Sequence, residues 1–124
     1  MGWSKGEKPL IIHFWTTWCD TCKEETAVLK KLYRSYGTQI DFYAVNVTWR
    51  DKLEDVKSFA GHYDVSYPVL LDPESKAASA YRIRFVPSTF LVDREGNLVE
   101  AVLSLSYSEW ESRVLSLIGR YTKA

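Results

Sequence analysis

Cys19 and Cys22 are the only cysteines of this 124-residue chain, two residues apart in Trp18-Cys19-Asp20-Thr21-Cys22-Lys23. The apolar run Leu10-Ile11-Ile12-His13-Phe14-Trp15 comes just before them, and a helical pattern follows. A strand feeding a C-x-x-C that opens a helix is the arrangement of a dithiol redox site. A sulfur at a helix N-terminus meets unpaired N–H groups and the positive end of the macrodipole, which favours the thiolate form of the first cysteine. The two-residue spacing lets the second sulfur reach the first and close a disulfide. Thiol–disulfide exchange is the chemistry these residues suggest.

Other uses of the pair fit less well. A purely structural disulfide closing so short a loop would remove little unfolded-state entropy. Structural zinc requires a full set of N and S ligands, and the chain offers two Cys plus His13 and His62, which are far apart in sequence. No metal is expected, and for copper His62 supplies no clear third ligand. Trp15 and Trp18 flank the cysteines and are candidates for an aromatic rim around the sulfurs.

The composition is that of one soluble globular domain spanning 1–124, with 1–8 as a flexible N-terminal segment. Apolar residues make up 46% and charged residues 26%. Such a length buries roughly two-thirds of the unfolded surface, enough for a core without metal or several disulfides. Sixteen basic and sixteen acidic residues cancel, and no basic run points to nucleic acid or to an anionic membrane surface. The first eight residues carry neither a signal-peptide apolar region nor a membrane span.

Strands and helices alternate along the chain. Residues 9–15 read as a strand buried on both faces. A helix is expected from 19 to about 36, with Cys22, Thr26, Leu29, Leu32, Tyr33 and Tyr36 on one face and Gly37 as its stop. Residues 40–48 read as a second buried strand. Residues 53–63 read as a helix with Val56, Phe59, Ala60 and Tyr63 on one face, and 69–71 as a short strand after Pro68. A short helix over 75–81 precedes strands over 88–92 and 98–103, joined by the turn-rich Asp93-Arg94-Glu95-Gly96-Asn97. The final helix is expected over 108–121, with Trp110, Val114, Leu117, Ile118 and Tyr121 inward. This order implies an α/β fold: a mainly parallel sheet with helices on both faces, completed by a late antiparallel hairpin.

Three motifs carry a resemblance to a known family across nearly the whole chain. They are Phe14-Trp15-Thr16-Thr17-Trp18-Cys19-Asp20-Thr21-Cys22-Lys23, then Phe85-Val86-Pro87-Ser88-Thr89-Phe90-Leu91-Val92-Asp93, then Glu95-Gly96. The chain resembles the thioredoxin fold, a central mixed sheet flanked by helices on both faces. With Ala44-Val45-Asn46-Val47, Tyr67-Pro68-Val69-Leu70-Leu71-Asp72 and a helix–strand unit inserted over about 49–71, before the cis-proline strand, it is similar to the TlpA/ResA type. The resemblance implies a cis peptide before Pro87, packed against the disulfide, with Val86 backbone pairing with substrate. Trp18, Val86 and Pro87 are accordingly the expected substrate-binding residues.

The resemblance further implies an extracytoplasmic thiol-disulfide oxidoreductase that reduces disulfides in other proteins, such as apocytochrome c or envelope proteins. Its redox group is the Cys19–Cys22 disulfide, with no added cofactor. Its partners are protein disulfide substrates and an upstream dithiol electron donor such as a membrane thiol transporter. It acts as a monomer, does not engage nucleic acid, and meets the membrane only through an N-terminal anchor trimmed from this chain. In chemical terms, Cys19 attacks as thiolate and Cys22 resolves the mixed disulfide.

Two further groups are expected to manage the proton. Glu25, three residues beyond Cys22 on the same helical face, matches the active-site glutamate of ResA-type reductases; otherwise it is a first-turn acid facing the helix dipole. His13 stands six residues before Cys19, where thioredoxin has a buried aspartate and the TlpA/ResA type commonly asparagine. Its ring is expected beneath the dithiol, toward Cys22; otherwise it is a hydrogen-bonded core histidine. Asp20-Thr21 departs from the family, which carries proline before the second cysteine, and the stretch from Leu103 to Tyr107 lacks the family's glycine. Two other function classes fit the same fold: a non-catalytic binding module, and a dithiol oxidase or thiol peroxidase.

Overall fold

A computed structural model describes residues 8–119. The apolar run after Pro9 forms the central strand β1 (Leu10–Trp15), all six residues of which are buried. Pro9 has no N–H and stands outside the strand, although its carbonyl still accepts from Asp41 N at 2.9 Å. The other strands are β2 (Asp41–Asn46), β3 (Val69–Leu71), β4 (Ser88–Val92) and β5 (Leu98–Val102), in the spatial order β3-β2-β1-β4-β5. β1, β2 and β3 run parallel, while β4 is antiparallel to both β1 and β5. The sheet is therefore evenly mixed rather than mainly parallel, because β4 enters next to β1 in the reverse direction.

Alternation along β1 divides the core into two layers. Ile11 and Trp15 face the layer built by helices α1 (Asp20–Tyr36), α2 (Leu53–His62) and α4 (Tyr107–Gly119). Leu10, Ile12 and Phe14 face the layer that contains Ala77 of the short helix α3 (Lys76–Ala80). His13 lies between Ile11 and Trp15 in this alternation and so shares the α1 and α4 side.

Helix α1 starts one residue after Cys19 and buries Cys22, Glu25, Thr26, Leu29 and Leu32, with Tyr33 and Tyr36 half-buried at the edge. Gly37 ends it in an ordinary right-handed conformation; a side chain there would meet Tyr33 O at 2.6 Å, so close approach explains the glycine. β2 is shorter than the expected 40–48. Thr48 Oγ1 donates to Asn46 O at 3.0 Å, and the chain turns into a 3-10 turn at Thr48–Arg50. α3 is capped from outside, its Ala77 and Ala78 N–H groups donating to the buried Asp72 carboxylate. In α4, Trp110, Val114 and Leu117 are buried and Ile118 is half-buried. The expected inward Tyr121 lies outside the described residues, as do all of 1–8 except Lys8. Among the described residues no helix is long and apolar enough to cross a membrane.

Candidate functional site

Cys19 is the N-cap of α1, with φ −87° and ψ 113°, and its Sγ accepts from Cys22 N at 3.1 Å. The sulfur thus takes the place that a Ser or Asp oxygen fills in an ordinary N-cap, beside the positive end of the helix. Both cysteines are free thiols. Cys22, one turn in, is wholly enclosed, whereas Cys19 keeps 8% of its surface exposed. Any disulfide that reaches the pair meets Cys19 first.

Burial pushes the Cys22 thiol well above its ordinary range, reinforced by its hydrogen bond with Cys19 and by the nearby charges of Cys19 and Glu25; a backbone hydrogen bond from Thr16 opposes them. Cys22 therefore carries its proton at neutral pH and must lose it to act.

The opposite wall of the site comes from the turn into β4. The Val86–Pro87 peptide is cis, Pro87 is buried, and Cys19 Sγ lies 3.9 Å from Val86 O. Trp18 stands 56% exposed beside the pair, its indole N–H donating to Arg50 O at 2.8 Å. Trp15 is no part of a rim. It is buried against Phe59 of α2, ring centroids 4.7 Å apart, because β1 points it into the core.

Glu25 lies under the dithiol in the core rather than on the first turn of α1 as a surface acid. Its Oε2 accepts from Leu105 N at 2.9 Å and from the Trp110 indole N–H at 3.0 Å. Oε1 has no hydrogen-bond partner and faces His13 Nδ1 at 3.9 Å. Burial raises the carboxyl above its ordinary value against the pull of those two donors.

His13 sits opposite Thr89 in the β1–β4 register, and its Nδ1 makes a 2.8 Å hydrogen bond with Thr89 Oγ1. No hydrogen bond links it to Cys22, and Nε2 has no partner. Burial lowers the imidazole to about 4. It is neutral at physiological pH, so its approach to Glu25 is a contact between an imidazole and a carboxyl group and not an ion pair.

A second polar group steadies the loop before the cysteines. The Asp51 carboxylate accepts from Thr17 N (2.7 Å), Thr17 Oγ1 (2.6 Å), Asn46 Nδ2 (3.0 Å) and Lys52 N (2.9 Å). Nothing in the sequence pattern marked Asp51, which lies in an irregular turn; its one signal was an acid just ahead of the helix start. Leu105 and Trp110 were also missed, the first because its role is played by a backbone N–H and the second because it reads simply as core. Among the described residues no group of three His, Cys, Asp or Glu is placed to hold a metal ion.

The chain has relatives among known proteins. The family model described as "AhpC/TSA family" matches residues 3–101. The "Thioredoxin-like protein YneN" of Bacillus subtilis is 35% identical over 94 residues, covering 75% of this chain and 54% of that protein. The "Thiol-disulfide oxidoreductase ResA" of the same organism is 35% identical over 96 residues, covering 77% of this chain and 52% of ResA. The chain thus spans about half the length of these relatives. Among solved structures, StoA from Bacillus subtilis superposes with a TM-score of 0.80 at 22% identity, covering 86% of this chain and 82% of StoA, which shows the shared thioredoxin-like fold.

Proposed function

Because this chain belongs to the AhpC/TSA family, with proteins named thiol-disulfide oxidoreductase ResA among its relatives, we propose that it is a thiol-disulfide oxidoreductase that reduces disulfides in other proteins. One observation carries the reading: a C-x-x-C pair whose first sulfur caps α1 and faces the cis Val86–Pro87 turn, while the second is buried above a carboxylate.

In the proposed reaction, Cys19 thiolate attacks one sulfur of a substrate disulfide. A Cys19–substrate bond forms, and the other substrate sulfur leaves with the electron pair and takes up a proton. Cys22 then loses its proton and attacks Cys19 Sγ, closing the Cys19–Cys22 disulfide and releasing the second substrate thiol. Two electrons pass to the substrate, and a dithiol donor returns them to the pair. Trp18, Val86 and Pro87 would hold the substrate segment, the Val86 backbone lying beside the attacking sulfur.

The raised Cys22 thiol supports the reducing direction. Burial and the Glu25 charge disfavour a Cys22 thiolate, which makes Cys22 a poor leaving group and the protein's own disulfide the favoured product. Glu25, held above its ordinary value and lacking a partner on Oε1, is suited to take the Cys22 proton. Neutral His13, 3.9 Å from that oxygen, would share the role. If His13→Asn and Glu25→Gln both leave the thiol titration and exchange rate unchanged, neither has it.

Consistent with the resemblance, the reading is of a single domain acting as a monomer outside the cytoplasm, on apocytochrome c or envelope proteins, with a membrane thiol transporter as donor. Redox-buffer equilibration of the pair tests the direction. A reductase should lie near the thioredoxin figure of about −270 mV, whereas a value near about −120 mV would make the protein an oxidant. Absence of dithiothreitol-driven insulin reduction would favour a binding module.

A further inference from the structure

Val86, whose carbonyl lies 3.9 Å from the Cys19 sulfur, also lines a cleft of about 190 Å³. Its floor is apolar, made by Val47, Ala78 and Ile83. Three large aromatic side chains stand around it half in solvent: Trp18, Trp49 at 50% exposure and Phe85 at 55%. Exposed aromatics gathered around one concavity beside a reactive group are a signature of recognition rather than of the core.

The charge around this cleft is one-sided although the chain as a whole is neutral. Arg50 and Arg84 line it, and Arg82 lines a depression that adjoins it through Trp49, Ala78, Ile83 and Arg84. No acidic residue lines either. The acids nearest in sequence are occupied: Asp51 by its hydrogen bonds with Thr17, Asn46 and Lys52, Asp72 by the N–H groups of α3, and Glu74 by Lys76. The Arg50 guanidinium is stacked on the Trp49 ring, 4.3 Å from its centroid, while Arg82 and Arg84 form no ion pair among the described residues.

We infer that this cleft selects the substrate: it takes a segment of the disulfide-bearing protein that carries a large apolar side chain flanked by carboxylates. The apolar side chain fills the cleft between Trp49 and Phe85, and the carboxylates face Arg82 and Arg84. Arginine forks suit carboxylates, which they can hold through paired hydrogen bonds. This inference rests on the oxidoreductase reading for the identity of the partner, but the docking itself requires no redox step.

Binding is therefore measured with short peptides whose cysteines are replaced by serine, one with a Phe flanked by Glu and its counterpart with Lys in place of Glu, read by intrinsic Trp fluorescence. At low ionic strength the Glu peptide should bind about tenfold more tightly, two exposed charge pairs being able to supply that much, and added salt should erase the difference. The double variant Arg82→Glu/Arg84→Glu should reverse the preference toward the Lys peptide. Equal affinity for the two peptides, or a preference that the double variant leaves intact, overturns the inference. So does self-association that Arg84→Glu abolishes, which would assign the cleft to a second copy, or binding to phosphatidylglycerol vesicles with no binding of the Glu peptide. The disulfide forms of the same peptides separate the two readings. Selective binding without reduction removes the oxidoreductase reading and upholds the docking; reduction of both peptides with equal efficiency and equal affinity does the reverse.

Discussion

Burial raises the Cys22 thiol, and the negative charge of the equally buried Glu25 adds to that rise. Glu25→Gln keeps an oxygen for Leu105 and Trp110 but removes that charge, so the Cys22 thiol should titrate at lower pH than in the wild type, seen as thiolate absorbance near 240 nm. His13 has a different signature. Its folded value of about 4 lies below the ordinary 6.5, so the folded state binds its proton more weakly than the unfolded chain does. The stability this represents is fully present above pH 6.5 and is lost as pH falls from 6.5 to 4. It amounts to about 3 kcal/mol. Glu25, raised by burial, acts with the opposite sign and favours the folded state at low pH. The comparison is therefore between proteins: His13→Asn, measured by urea unfolding, should lose less stability than the wild type between pH 6.5 and 4. The two cysteines and Glu25 were readable from local spacing on one helix. The hydrogen-bond partner of His13 was not, because Thr89 lies 76 residues away and is brought opposite only by the β1–β4 register.

At the scale of elements, the helix–strand unit between β2 and β4 reaches the site through its entry turn. Asp51 ties down Thr17, and Arg50 O receives the Trp18 indole, so this turn holds the loop that presents Cys19. Burial alone would raise Asp51, but the hydrogen bonds from Thr17, Asn46 and Lys52 outweigh it and keep the group below its ordinary value. Its contribution is thus present above pH 3.8 and is lost as pH falls through the lowered value. Asp51→Ala should cost about 1–3 kcal/mol in denaturant unfolding, since it leaves several donors without their acceptor. Amide exchange at Thr17 and Trp18 should quicken more than in β1, a local effect that general destabilisation would not give. The presence of α2 and β3 was legible from the 3.6-residue and short apolar patterns. The end of β2 was not: the apolar run continues through Val47, but the chain leaves the strand where the Thr48 hydroxyl donates to Asn46 O and the 3-10 turn begins.

Taken whole, the molecule holds a dithiol between a central buried strand and a helix whose far wall is α4. Trp110 joins these parts, wholly buried and bonded through its indole N–H to Glu25. The α/β layering followed from the order of strands and helices, whereas the side on which β4 enters, which makes the sheet evenly mixed, was not legible because it depends on pairing between distant segments. Redox state and global stability are linked in such a site. A pair that reduces its partners is one whose folded state favours the disulfide, so the oxidised protein should unfold at a higher denaturant concentration than the reduced one; the reverse order would mark an oxidant. The most direct test of the account traps the exchange itself. Cys22→Ser and Cys19→Ser variants are mixed with a disulfide-bearing protein, and intact mass is followed with time. The account predicts a mixed-disulfide adduct through Cys19 that accumulates in Cys22→Ser, and none at a comparable rate in Cys19→Ser. An adduct forming as fast on Cys22 in the Cys19→Ser variant, or no adduct with either, would contradict it.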